Sequence, residues 1–97
     1  MTTPREDLEE QLRDPDSAQE YGAEAAIDNF ALTLRRTRRQ LCMTQTRLAE
    51  DAGQTAWYIK AIEDGTADPS LRTVGRLFAA LGLEVEIHLV PIGGVHD

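Results

Sequence analysis

The sequence predicts a mainly α-helical domain of four to five helices closed by one C-terminal β-strand. Three observations carry that expectation. Apolar residues recur at helical spacing from Ala18 to Leu81. Helix-start signals (Asp14-Pro15, Thr44, Thr55, Ser70) alternate with stop signals (Gly53, Gly65, Gly82), and the period changes to strict alternation only at Leu83. With 97 residues and 41% hydrophobic content, the chain can build one core and not two.

Pro4 opens a short helix reaching Leu12, with proline tolerated in the first turn and Glu6 and Asp7 complementing the positive end of the helix dipole. Leu8 and Leu12 are its only large apolar residues, too thin a stripe to hold a helix alone in water, so it is expected to fray until it docks. Asp14, Pro15 and Asp16 repeat the start signal. The helix that follows places Ala18, Tyr21, Ala25, Ile27, Phe30, Ala31, Leu34 and Leu41 on an apolar stripe, with Gly22 as the expected break, Phe30 to Gln40 as the best-patterned part, and Arg35, Arg36 and Arg39 on the opposite face.

Thr44 is a natural N-cap for a helix from Gln45 to Ala52 that stops at Gly53, and Thr55 caps a second from Ala56 to Asp64 that stops at Gly65. Ser70 caps the last helix, Leu71 to Leu81, whose stripe is Val74, Leu77, Phe78 and Leu81. Leu83, Val85, Ile87 and Leu89 then alternate with Glu84, Glu86 and His88 as far as Pro91, which predicts a half-buried strand. A lone strand needs a neighbour for its backbone hydrogen bonds, and the simplest is the same strand of a second copy, antiparallel across a two-fold axis. Val85, Ile87 and Leu89 are the dimer-strand candidates. The organisation expected is an acidic helical segment over 1–29, a helical domain over 30–82, a dimerisation strand over 83–91 and a mobile tail over 92–97.

The formal charge is -7 with a pI near 4.7, which argues against partners held by bulk positive charge. The average hides a partition. Residues 1–29 hold nine acids and two arginines (-7), residues 30–62 hold two acids and six basic residues (+4), and residues 63–97 hold six acids and two arginines (-4). An acidic chain with a basic centre suggests two different partners. Apolar runs are far too short to span a bilayer, and the acidic N-terminus lacks the charge pattern of a signal peptide, so a cytoplasmic protein without a membrane partner is expected. The single Cys42 forms no internal disulfide and is expected to be a buried free thiol. His88 and His96 have no second ligand at metal spacing, and no serine or cysteine pairs with a base. No cofactor, metal site or catalytic activity is expected.

The stretch Thr44-Gln45-x-x-Leu48-Ala49-x-x-Ala52-Gly53-Gln54-Thr55-x-x-x-Ile59-x-x-Ile62-Glu63-x-Gly65 carries the function. Small Ala49 lets two helices cross closely, Gly53 supplies the turn, and Leu48, Ile59 and Ile62 form the seam, the requirements of a helix-turn-helix whose second helix projects into a major groove. Over roughly Phe30 to Leu81 the chain resembles the Xre or lambda-repressor-like family. The resemblance implies a four- to five-helix domain binding double-stranded operator DNA, with Gln45 on a phosphate and Thr55, Ala56, Trp57, Lys60 and Ala61 at groove-facing positions. It also places Arg38 and Glu63 where the family often has a buried ion pair. Arg35, Arg36, Arg39 and Arg47 are as a set candidate phosphate clamps, against the ordinary alternative of a solvated helix face. Trp57 and Tyr58 either touch DNA or fill the gap to a neighbouring helix. Alanine at 56 and 61 cannot hydrogen-bond a base edge and can only meet a thymine methyl, so direct readout should be sparse.

The layout outside the motif resembles antitoxins of HigA type, and the terminal strand resembles the intersubunit sheet of HipB-type antitoxins. This resemblance implies a homodimer that represses its own operon and neutralises a toxin, a basic RNase for the first kind and a kinase for the second. Leu8, Leu12, Glu9, Asp16 and Tyr21 are the candidate toxin contacts, because acids beside a few apolar residues suit a basic RNA-cleaving partner. The alternative is a stand-alone repressor with no protein partner.

Overall fold

The computed structural model describes residues 4–92. Among them lie five helices: α1 (Pro4–Gln11), α2 (Pro15–Gln40), α3 (Gln45–Ala52), α4 (Ala56–Glu63) and α5 (Leu71–Ala80). Residues 93–97, which hold His96 and most of the expected tail, lie outside the described residues.

Local chemistry sets each boundary. Asp14 starts α2: its side-chain Oδ2 accepts from Ser17 Oγ at 3.1 Å and its carbonyl accepts the amide of Ala18 at 2.9 Å, while Pro15 sits where a missing N–H costs nothing. The hydroxyls of Thr44, Thr55 and Ser70, each on an extended residue, accept the backbone N–H three residues on, from Arg47, Tyr58 and Thr73. Gly53 closes α3 at φ 67°, ψ 34°, the left-handed region where a Cβ is penalised. Its amide donates to Glu50 and that of Gln54 to Ala49, the paired bonds of a Schellman motif.

α2 ends by the same bonding without a glycine. The amide of Cys42 donates to Arg39 and that of Met43 to Arg38, both at 3.0 Å, and Cys42 takes φ 54°, the only positive φ at a non-glycine residue among the described residues. Cys42 is exposed, which corrects the expectation of a buried thiol. The residue that turns the chain between two helices cannot also face the core. Gly22 does not break α2, which runs unbroken from Pro15 to Gln40. One interior glycine costs a helix only about 1 kcal/mol relative to alanine, less than the flanking turns return.

Contacts divide the chain into two units, with the boundary between Ala26 and Ile27 inside α2. One unit comprises residues 27–86 and contains the core. Leu34 of α2, Leu48 and Ala49 of α3, Ile59 and Ile62 of α4, and Leu77, Phe78 and Leu81 at α5 form a single buried cluster. α3 packs on both α4 and α5, and the rings of Phe30 and Phe78 meet edge to face at 5.6 Å. The other unit comprises residues 4–26 and 87–92, in which Leu8, Leu12 and Tyr21 are half-buried and Glu6, Asp7, Glu9, Glu10, Asp14 and Asp16 are exposed.

Residues 83–91, expected from their alternation to be a strand, form no strand among the described residues, since an isolated strand has nothing to take its backbone hydrogen bonds. They carry much of the exposed apolar surface: Leu83, Val85, Ile87, Leu89 and Val90 are exposed, Leu89 by 91%. No helix among the described residues is long and apolar enough to cross a membrane.

Candidate nucleic-acid interface

α3 and α4 are two-turn helices joined by the Gly53-Gln54-Thr55 turn, and the buried seam of Leu48, Ala49, Ile59 and Ile62 fixes their crossing. With Ile59, Ile62 and Glu63 buried, the 3.6-residue period turns Trp57, Lys60, Ala61 and Asp64 to the opposite side of α4. That side is wet. Trp57 is 76% exposed, so it does not fill a gap between helices, whereas Tyr58 is half-buried against the core.

Behind this face lies a buried polar joint. Arg38 Nε donates to Glu63 Oε2 at 2.7 Å and Arg38 Nη2 to Glu63 Oε1 at 2.8 Å, a two-pronged fork between α2 and the end of α4. The Glu63 side chain is 0% exposed and that of Arg38 10%. Arg38 Nη1 also donates to the Met43 carbonyl at 2.8 Å, bracing the Cys42 turn. The bond to the Glu63 carboxylate raises the Arg38 pKa above its ordinary value, against the lowering effect of burial, and the Coulomb attraction of Glu63 adds to the rise. Every buried side-chain nitrogen and oxygen among the described residues has a hydrogen-bond partner, so the joint holds its charges without an orphan.

Gln45 belongs to this joint. Its Nε2 donates to Glu63 Oε1 at 3.3 Å, which leaves one amide hydrogen free to donate outward. Arg35, grouped from the sequence with the candidate phosphate clamps or a solvated basic face, turns toward α4, with Nη2 donating to the Glu63 carbonyl at 3.0 Å and to Asp64 Oδ1 at 3.3 Å.

The remaining candidates are arranged as follows. Thr55 uses an oxygen lone pair on the Tyr58 amide and keeps its O–H as a donor. Lys60 Nζ is 2.7 Å from Asp64 Oδ2, and Arg47 Nε is 3.1 Å from both carboxylate oxygens of Asp51. Chiefly through the bond from Lys60, with Arg35 adding attraction and desolvation opposing, Asp64 is held below its ordinary carboxyl value. Ala56 is exposed and Ala61 half-exposed. Arg36 and Arg39 are exposed and make no ion pair among the described residues.

The basic centre is therefore largely answered from within. Four of the six basic residues of 30–62 (Arg35, Arg38, Arg47 and Lys60) contact a carboxylate, two of those carboxylates belonging to Glu63 and Asp64 just past its end. Including both lowers the net charge of the stretch from +4 to +2. The sequence reading missed Asp51 and Asp64, although each stands four residues after its cation, the spacing of a helical ion pair. Among the described residues no group of three or more His, Cys, Asp or Glu is placed to hold a metal ion.

A helix-turn-helix family model matches residues 34–87, more than half of the chain. This protein belongs to the Xre/lambda-repressor-like helix-turn-helix family. The match covers the last two turns of α2, all of α3, α4 and α5, and the first residues beyond Gly82. As a helix-turn-helix protein it is a sequence-specific DNA-binding regulator of transcription. No curated protein and no solved structure matches the chain.

Proposed function

We propose that this helix-turn-helix regulator is the antitoxin of a type II toxin–antitoxin pair: a homodimer that represses its own operon and binds a basic RNase-type toxin through its acidic N-terminal segment. The observation that carries the proposal is the division of chemistry along the chain. The helix-turn-helix needs only residues 34–87, yet residues 4–16 add six exposed carboxylates beside half-buried Leu8 and Leu12. Such a segment suits a protein whose own ligand is polyanionic, because an RNA-binding surface is basic and attracts it.

The dimer rests on a second observation. Val85, Ile87 and Leu89 are exposed and no strand pairs with them among the described residues, so a second copy supplies both the missing backbone partners and the apolar cover. Two-fold symmetry also sets two recognition helices about one helical turn of DNA apart. In this arrangement Gln45, Arg36, Arg39 and Arg47 hold phosphates and α4 faces the bases.

The test is co-expression of the full chain, and of a chain lacking residues 1–20, with the product of the adjacent reading frame, followed by binding of each to the DNA upstream of its own gene. The proposal expects a complex that depends on the acidic segment and operator binding that does not. Operator binding with no protein complex would make the chain a stand-alone repressor.

A further inference from the structure

We infer that α4 reads its half-site through the 5-methyl groups of thymine, with Ala56, Trp57 and Ala61 as the contacting surface; the inference rests on the reading of α4 as the helix that enters the major groove.

The polar groups of this face are few and already partly engaged within the chain. Lys60, its one cation, lies 2.7 Å from Asp64 Oδ2. Asp64 is also 3.3 Å from Arg35, and the Thr55 oxygen accepts the Tyr58 amide at 3.1 Å. Glutamine, asparagine and arginine, whose paired donors and acceptors match adenine and guanine edges, are absent from α4. What projects is apolar: an indole that is 76% exposed, with Ala61 one turn further along the same side of α4 and Ala56 exposed at its first turn. In the major groove the four bases present one apolar group among them, the thymine methyl, so a surface of this kind discriminates by covering it. The small alanines serve the same end, since a short side chain lets the helix backbone approach the base edges and brings the indole into contact.

The experiment uses the full chain. A randomised duplex library is enriched for binding, and the enriched duplexes are then remade with deoxyuridine in place of thymidine, which removes only the methyl. The inference expects thymines in the enriched half-sites and a loss of about fourfold in affinity for each methyl removed, which corresponds to ~0.8 kcal/mol per buried group. W57A, which replaces a side chain outside the core and is therefore expected to keep the native circular dichroism spectrum, is expected to bind more weakly and to lose part of that sensitivity. Equal affinity for thymidine and deoxyuridine duplexes overturns the inference and leaves sequence-specific binding standing. Undiminished sensitivity in W57A overturns the assignment of the contact to this surface. Failure to enrich any sequence overturns both the inference and the reading beneath it.

Discussion

Glu63→Gln is the perturbation that weighs most heavily on the domain. The substitution keeps the volume of a side chain that is 0% exposed, so cavity formation contributes nothing and the change is electrostatic. The carboxylate answers Arg38 at 2.7 and 2.8 Å and accepts from Gln45 at 3.3 Å, and the amide that replaces it sets a donor against one prong of the Arg38 fork. Removing one partner of a buried pair typically costs about 3 to 5 kcal/mol, because the other charge stays buried without compensation. A chain of this length is stable by about 5 to 15 kcal/mol in all. Glu63→Gln is therefore expected to lower Tm by about 12 °C or more, at ~4 °C per kcal/mol for a domain of this size.

Thermal and urea melts followed by helical circular dichroism are the assay, since Trp57, 76% exposed when folded, gives little fluorescence contrast. Combining Glu63→Leu with Arg38→Met removes both charges and is expected to cost less than the sum of the two single changes. A loss below about 1 kcal/mol for Glu63→Gln, the worth of an ordinary hydrogen bond, would refute the reasoning, as would additivity in the double variant.

Three further outcomes are expected. Cys42→Gly relieves a left-handed backbone at φ 54° and should stabilise the chain by about 0.5 to 1 kcal/mol, while Cys42→Val should destabilise it, both read as shifts in urea midpoint. Thr55→Ala removes the cap of α4 and should cost about 1 kcal/mol of stability, with Thr55→Ser retaining it. Asp64→Asn releases Lys60 and should steepen the dependence of DNA affinity on salt by about one phosphate. The same carboxyl should titrate by NMR below its ordinary 3.8. Its folded value is depressed, so its contribution to stability is complete above the unfolded value and is lost as pH falls through the lower folded one.

The helix boundaries were legible because they are made locally. Thr44, Thr55 and Ser70 each bond an amide three residues away, and Gly53 and Gly65 take a backbone conformation that few other residues accept. Cys42 was misplaced because its position is decided by the turn between α2 and α3, where a glycine would have announced it, and the preference of cysteine for burial pointed elsewhere. The extent of α2 was obscured at Gly22, whose cost is small beside the length of the helix.

At the interface the residue types could be read but their partners could not. Arg35 and Arg36 are neighbours in sequence, yet one turns to Glu63 and Asp64 and the other faces water, a difference of one helical step. The carboxylates that answer Arg35 lie some thirty positions on, so the charge of a stretch taken alone overstates its pull on DNA. The segment after Gly82 is harder still. Its alternation predicts a strand, yet none forms there among the described residues, because a strand is stable only beside a neighbour that takes its backbone hydrogen bonds.

The central claim is that α4 is the surface that meets DNA, and the chain carries its own reporter there, because Trp57 is its one tryptophan. The decisive measurement is Trp57 fluorescence during titration with a duplex enriched for binding, run beside anisotropy of the labelled duplex. The account predicts a saturable quench and spectral shift that follow the binding curve with the same midpoint. Tight binding by anisotropy with no change at Trp57 would place the DNA elsewhere and contradict it.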